Sequence, residues 1–157
     1  MPCNFLQNNH LVKGLDPVAD GFAGTVYSDI INMADYAGAT FIIYKGVGTT
    51  GTSTITVNAC DDVSASNETA ITFRYKAITT GDTEGALTAA TTAGFATSAG
   101  SSELYAIEID SEELGDTGYQ YARLKCVEVA NDPVLGGILI IMGGPRYAQD
   151  IPATAIV

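Results

Sequence analysis

The stretch G-V-G-T-T-G-T-S, residues 46–53, has the glycine spacing of a phosphate-binding loop. Such a loop also needs a lysine before the final Ser or Thr, because its ammonium group contacts the phosphates. Thr52 occupies that position, and the residues that follow are typical of a strand, not of the helix whose N-terminus would hold the phosphates. We therefore expect residues 46–51 to be a hairpin loop whose glycines adopt positive φ, and we expect no nucleotide cofactor.

Nucleophilic catalysis has little support in the sequence. His10 is the only histidine, it lies in an irregular segment, and no G-x-S-x-G motif occurs. Cys3, Cys60 and Cys126 are far apart and form no C-x-x-C pair, so neither a zinc site nor a disulfide framework is indicated. We expect no catalytic residue, no cofactor and no metal, and we expect that the protein is not an enzyme.

Acidic side chains are the remaining candidates for chemistry. Asp61, Asp62, Asp110, Glu112 and Glu113 follow no calcium-loop pattern, and acids in turns are usually solvated. A carboxylate pair suited to glycoside hydrolysis stays open, because any two acids can meet in a fold. With no Trp in the sequence, sugar stacking would depend on the 8 Tyr residues, which weakens that alternative.

The charge balance is strongly acidic. The 157 residues include 18 Asp or Glu and 7 Lys or Arg, which gives a net charge of −11. Phosphate-rich partners need basic residues, so we expect the protein to bind neither nucleic acid nor membranes. The charge is typical of a solvated surface, and the alternative is a partner with a basic surface. Sparse cysteines and the lack of an apolar leader predict folding in a reducing cytoplasm.

Alternating apolar and polar residues predict an all-β protein. In residues 53–60, for example, Ile55 and Val57 alternate with Thr54 and Thr56. This period of two is that of half-buried antiparallel strands, and about six to eight of them with short Gly- and Thr-rich connectors favour a sandwich or barrel. The predicted strands are residues 40–44, 53–60, 70–78, 104–110, 119–129 and 138–142, with 25–33 as a weaker candidate.

Three segments depart from this alternation. Residues 138–142 are apolar on both faces, which predicts either a central strand or a strand whose outer face meets a partner. Asp110 predicts the N-cap of a single helical turn that ends near Gly115. Residues 81–102 predict a long excursion between strands, with a little strand near Phe95.

The few basic residues occur in pairs. Arg74 and Lys76 share one strand face, and Arg123 and Lys125 share another. One interpretation is that they form cross-strand pairs with acids such as Glu108 and Asp110. The alternative is a small basic patch that meets an acidic partner.

The two ends of the chain carry apolar residues without a clean period. We therefore predict an N-terminal arm at residues 1–20, a β-sandwich domain at 21–148 and a C-terminal tail at 149–157. Each end either folds onto its own domain or clasps a neighbouring subunit, where an extended segment can add to a sheet edge. The candidate interface residues are Phe5, Leu6, Leu11, Val12 and Leu15 in the arm and Ile151, Ile156 and Val157 in the tail.

Four stretches, in their order and composition, resemble small proteins encoded among the head genes of tailed bacteriophages, namely capsid decoration, or cement, proteins. The resemblance covers most of the chain. It rests on no catalytic signature and assigns no individual residue a role. The stretches are LDPVADGFAGTVYSDIINM (residues 15–33), TFIIYKGVGTTGTSTITVNACDDV (40–63), AITFRYKAITTGDTEGALTAATTAGF (70–95) and GYQYARLKCVEVANDPVLGGILIIMGGPRYAQD (118–150).

This resemblance implies a jelly-roll β-sandwich on the outside of an icosahedral head, at a local symmetry axis that the sequence does not identify. Its partners would be the major capsid protein, whose neighbouring subunits it would bridge, and further copies of itself in a dimer or trimer. It would be made in the host bacterial cytoplasm and end on the capsid exterior of the virion. The alternatives are another virion β module, associated with the tail or a fibre, and a carbohydrate-binding or adhesin domain.

Overall fold

The chain is built almost entirely of β-strands, and the computed structural model describes residues 5–147 and Ile156. Two of the candidate interface residues, Ile151 and Val157, lie outside the described residues. The strands are β1 (Asn9–Val18), β2 (Thr25–Tyr27), β3 (Ile31–Asn32), β4 (Tyr36–Lys45), β5 (Thr52–Cys60), β6 (Glu68–Ile71), β7 (Phe73–Ile78), β8 (Thr88–Ala90), β9 (Phe95–Ala96), β10 (Glu103–Asp110), β11 (Tyr121–Ala130) and β12 (Gly136–Pro145). The helices are α1 (Phe5–Asn8) and α2 (Ser111–Gly115).

The strands form two antiparallel sheets. Sheet A has the order β1-β12-β4-β10-β7-β8, and sheet B has the order β2-β11-β5-β6, with β3 paired to β11 and β9 paired to β5. Eight of the strands pair from the two ends of the chain inwards: β1 with β12, β2 with β11, β4 with β10, and β5 with β6. This is the pairing of a ribbon folded over on itself, so the predicted jelly-roll sandwich is confirmed.

The core lies between the inner faces of the two sheets, where alternate residues of each strand meet. Burial of one large apolar side chain in this core stabilises the fold by about 1.5–3 kcal/mol. Because the alternation in the sequence is also the alternation in burial, the predicted period of two is confirmed. The innermost side chains include Phe41, Ile43, Ile107 and Ile140 from sheet A and Ile55, Val57 and Leu124 from sheet B.

Two predicted strands are each divided in the structure. The segment 70–78 breaks at Thr72, so that β6 pairs with β5 in sheet B and β7 pairs with β10 in sheet A. The chain thus crosses from one sheet to the other at a corner of the sandwich, as strands in packed sheets do. The weak candidate at 25–33 becomes β2 and β3, both paired to β11.

The predicted helical turn after β10 is present and carries a complete capping box. The Asp110 carboxylate accepts hydrogen bonds from the backbone N–H groups of Glu112 and Glu113, and the Glu113 carboxylate accepts one from the Asp110 N–H. These bonds satisfy donors that a helix start leaves free. The side chain of Leu114 is buried, which fixes the turn against the sheet.

The long excursion at residues 81–102 is packed onto the sandwich. It contains β8 and β9, and the Phe95 ring stacks on Tyr75 with centroids 3.9 Å apart and an interplanar angle of 4°. Thr97 and Ser53 exchange two hydrogen bonds, from each backbone N–H to the other residue. The predicted strand near Phe95 is confirmed, and these contacts join the segment to β7 of sheet A and to β5 of sheet B.

The prediction of a hairpin at residues 46–51 is wrong. The loop joins β4 in sheet A to β5 in sheet B, and Gly46, Gly48 and Gly51 do not adopt positive φ. Gly51 is required for a different reason, since a Cβ there would collide with the carbonyl oxygen of Asp132 and with Val134. The glycines therefore allow close approach of two loops that bridge the sheets.

Candidate interaction surfaces

The outer face of sheet A carries an apolar strip that the rest of the described chain leaves uncovered. On β12, β4 and β10, Leu139 lies opposite Ile42, and Tyr44 lies opposite Leu104. Tyr44 is 58% exposed and Leu139 is 41% exposed, although both sit on central strands. We call these four residues the apolar strip: Ile42, Tyr44, Leu104 and Leu139.

A shallow groove of about 390 Å³ is lined by the four residues of the apolar strip and by residues of β1 and β12. Its floor is Gly137, where a Cβ would press on the Leu15 carbonyl oxygen and the Pro17 backbone, so only glycine lets β1 lie this close. Among the described residues that line the groove, Lys13 and Asp16 are the only charged ones. The groove is thus electrically balanced in a chain with a net charge of −11.

A second hollow, of about 460 Å³, lies at the other end of the same sheet face and is polar. Its charged lining residues are Arg74, Glu108, Asp110 and Glu113. Burial, with a lesser contribution from the charge of Asp110, raises the pKa of Glu113. Two of its three acids serve the capping box of α2, and the part of the chain that the structure describes has no group of three or more His, Cys, Asp or Glu placed to hold a metal ion.

The outer face of sheet B is polar and its charges are partnered. The Arg123 guanidinium donates hydrogen bonds of 2.6 and 3.0 Å to one Glu68 carboxylate oxygen and lies 3.9 Å from the centre of the Tyr27 ring. Burial acts to raise the pKa of Glu68, but the hydrogen bonds of Arg123 and Asn58 outweigh it and the pKa is lowered. Lys125 lies 5.8 Å from the same Tyr27 ring.

Of the basic pair on β7, only Arg74 follows the cross-strand interpretation. Arg74 lies directly opposite Glu108, whereas Lys76 lies opposite Ala106, and Asp110 lies beyond the paired part of the two strands. Lys76 forms a salt bridge of 2.6 Å with Glu84 of the following loop, and both of these side chains are exposed. Arg74, Lys76 and Arg123 therefore each lie next to an acid of their own chain, whereas Lys125 lies over the Tyr27 ring.

A buried polar cluster, which the sequence analysis missed, joins the sheets near the 46–51 loop. The Lys45 ammonium lies 2.8 Å from the Glu103 carboxylate, and the two residues are only 2% and 4% exposed. Lys45 also donates to the carbonyl oxygens of Ser98 and Gly51, and the Tyr105 hydroxyl donates to Glu103. Three acceptors surround the buried ammonium, and the cluster connects the excursion to β4 and β10.

The 46–51 loop does bind an anion, but the anion belongs to the same chain. The Asp132 carboxylate accepts hydrogen bonds from the Thr49 hydroxyl at 2.5 Å and from the backbone N–H groups of Thr50 and Thr49 at 2.9 and 3.3 Å. These bonds, the Thr49 hydroxyl first, lower the pKa of Asp132. The observed role of this glycine-rich loop is therefore a structural contact within the chain.

The N-terminal candidate interface residues separate into exposed and buried groups. Phe5 and Leu6 of α1 are 44% and 72% exposed, and Leu11 is exposed on the outer face of sheet A. Leu15 lines the groove. Val12 is 3% exposed and belongs to the core, so its side chain is not available to a partner.

The predicted N-terminal arm, residues 1–20, contains a strand of the sandwich domain. Residues 9–18 form β1, which pairs with β12 along sheet A, and the sandwich therefore begins at Asn9. Register shifts on either side of Leu15 disturb its alternation, which explains the missing period in the sequence. At the other end of the chain, Ile156 forms an antiparallel bridge with Ile31 of β3.

The remaining candidates for nucleophilic chemistry are structural. The His10 ring stacks on Tyr36, with centroids 6.2 Å apart. Cys60 and Cys126 are free and buried, and burial raises the pKa of their thiols to about 11 and about 12. Thiols with such pKa values are protonated at neutral pH and are poor nucleophiles.

Comparisons with known proteins add little to this description. No protein-family model matches the sequence, and no curated protein matches it. A solved structure, that of the SPBc2 prophage-derived protein YomS, is similar to this chain with a TM-score of 0.49 and 14% sequence identity, over 87% of this chain and 94% of that one. This similarity is too low to establish a family. Neither helix in the described residues has the length and apolar character needed to cross a membrane.

Proposed function

We propose that this chain is a structural protein of a tailed-bacteriophage virion, which decorates the outer surface of the head and stabilises contacts between major capsid subunits. Two observations support this proposal: the resemblance of the sequence to decoration proteins, and the apolar surface of the folded chain. It assigns no catalytic step, and the partners are the major capsid protein and further copies of this chain.

The observation that supports it is the apolar surface that folding leaves exposed. Phe5, Leu6 and Leu11 at the N-terminal end and the apolar strip on sheet A are accessible, although many other large apolar side chains are buried in the core. Contiguous exposed apolar surface on a small acidic domain is typical of a protein that is covered by a partner. An adhesin would instead be expected to present polar groups around an aromatic platform.

The mechanism is a shift of equilibrium. A protein that binds only the assembled shell stabilises that shell by mass action, and an oligomer that engages several subunits gains further affinity from its multiple contacts. In this arrangement, the exposed side chains of α1 and the edge strand β1 are the parts placed to contact the shell. An added strand at the β1 edge would supply main-chain hydrogen bonds.

Cosedimentation with heads that lack this chain tests the proposal. Purified protein is mixed with such heads, and bound protein is measured against concentration. A variant without residues 1–8 stops short of β1, so its domain should fold while its affinity for the heads falls. The matched control is Val129→Ser, which removes an exposed apolar side chain at the far end of β11. No binding of the full chain to heads at any concentration would contradict the proposed function.

A further inference from the structure

We propose that the apolar strip is a two-fold self-association surface, on which a second copy of this chain packs face to face. The inference concerns the isolated protein and does not depend on the proposed role in a virion. Its basis is that the residues of the strip and groove are complementary to themselves when one copy is turned over onto another.

The complementarity follows from the strand register. Across sheet A, one row of outward residues contains Lys13, Leu139, Ile42 and Ala106, which are neighbours on β1, β12, β4 and β10. The next row, two residues further along the strands, contains Gly137, Tyr44 and Leu104. Consider a two-fold axis that lies in the plane of the interface, runs across the strands and passes midway between the two rows. Rotation about this axis places the first row of one copy over the second row of the other copy.

Size complements size on two of the three central strands in that arrangement. On β12 the large Leu139 of one copy meets the groove floor at Gly137 of the other, and on β10 the large Leu104 meets the small Ala106. On β4, between them, Ile42 meets Tyr44, which is a direct apolar contact of two large side chains. Two sheets that pack face to face lie about 10 Å apart, so such interdigitation of large and small side chains is what fills the space between them. Each contact occurs twice, as an isologous interface requires.

Charge complements charge at the rim. Lys13 belongs to the first row, and Asp16 lies beside Gly137 of the second row, between the two residues whose backbones flank that glycine. The same axis therefore brings Lys13 of one copy to Asp16 of the other, twice. Neither residue forms a salt bridge with any residue that the structure describes.

The charge distribution also favours this face over the rest of the surface. Two copies that each carry a net charge of −11 repel each other, so they approach best where acids are few. The strip and groove contain one acid and one base, whereas the polar hollow at the other end of sheet A contains three acids and one base. The occupant that fits a balanced, self-complementary apolar face is a second copy.

Sedimentation equilibrium of the purified full chain, over a wide range of concentrations, tests the inference. We expect a monomer–dimer equilibrium for the natural sequence. Leu139→Asp should weaken dimerisation on the order of 30-fold or more, because it places a charge at the centre of the interface. Val129→Asp introduces the same charge on an exposed apolar residue outside the face, and we expect it to leave the equilibrium almost unchanged.

Exchange of the charges at Lys13 and Asp16 distinguishes the proposed two-fold packing from any other packing on this face. Lys13→Asp alone and Asp16→Lys alone should each weaken the dimer, because each creates two like-charge contacts across the axis. The double variant Lys13→Asp/Asp16→Lys should restore the dimer, and circular dichroism checks that all variants are folded. A chain that stays monomeric at all concentrations, or a dimer that is indifferent to Leu139→Asp and to the exchange, would overturn the inference.

Discussion

The outer faces of the two sheets are made from strands with the same alternation, but they differ in what they leave exposed. On sheet B, Arg123 is bonded to Glu68 and stacked on Tyr27, so its outward side chains interact mainly with one another. On sheet A, Tyr44 and Leu139 are outward and uncovered on central strands. Sheet B thus uses its outer face for its own stability, whereas sheet A has an outer face suited to a partner.

The difference implies that mutation should separate stability from assembly. Partly buried ion pairs contribute to folding because removing one partner leaves a poorly solvated charge. Exposed apolar side chains gain little from folding, and their removal affects a partner that would cover them.

We expect the largest effect on stability at the buried Lys45–Glu103 pair, which lies inside the sandwich. Lys45→Met leaves Glu103 buried without its partner and should lower the free energy of unfolding by about 3–5 kcal/mol. The double variant Lys45→Met/Glu103→Met removes both charges and should recover most of that loss. Urea unfolding followed by circular dichroism measures both. A full loss in the double variant would mean that the pair itself, and not the orphaned charge, matters.

On the face of sheet B, Arg123→Ala should lower the free energy of unfolding by about 1–2 kcal/mol, because Glu68 is only partly solvated and the contact with Tyr27 is lost. On the face of sheet A, Leu139→Ser should change it by less than about 0.5 kcal/mol. Both are measured by urea unfolding at a concentration where the chain is monomeric. Equal losses for the two variants would remove the distinction between the faces.

The pH dependence of stability sharpens the description of sheet B. The pKa of Glu68 is lowered in the folded chain, so its contribution is fully present above the ordinary value of 4.5 and is lost as the pH falls through the folded value. The difference in melting temperature between the natural chain and Glu68→Gln should therefore be greatest near neutral pH and shrink in acid. A difference that grows as the pH falls would contradict the assignment.

The smallest effect is expected at the exposed salt bridge of sheet A. Lys76 and Glu84 are both well solvated, and such pairs usually contribute little because solvent screens the charges. Lys76→Ala should leave the melting temperature unchanged within error, at low and at high salt. A clear, salt-dependent loss would show that this part of sheet A also depends on its outer charges.

Much of the fold could be predicted from the sequence, because burial in a sandwich follows the alternation of residues. The crossing at Thr72 could not, since Ile71 and Phe73 point into the same core from different sheets and their period is unbroken. The hairpin prediction at residues 46–51 failed for a related reason. Turn residues show where a chain bends, whereas the partner strand is decided by distant contacts.

The candidate surfaces were only partly predictable. The outward apolar residues of β12 were recognised, and the structure shows that the strand is central and has an uncovered outer face. The groove depends on the shifts in register around Leu15, which leave no signal in a single sequence. The buried pair has a signal in the sequence, because Lys45 and Glu103 continue the inward-facing positions of β4 and β10 with opposite charges.

Quantitative mass spectrometry of purified particles tests the proposed role in head decoration, because it gives the copy number of this chain relative to the major shell protein. We expect one copy per shell subunit or a simple fraction of that number. A handful of copies per particle would move the chain to the tail or portal. Its absence from particles would contradict a virion role altogether.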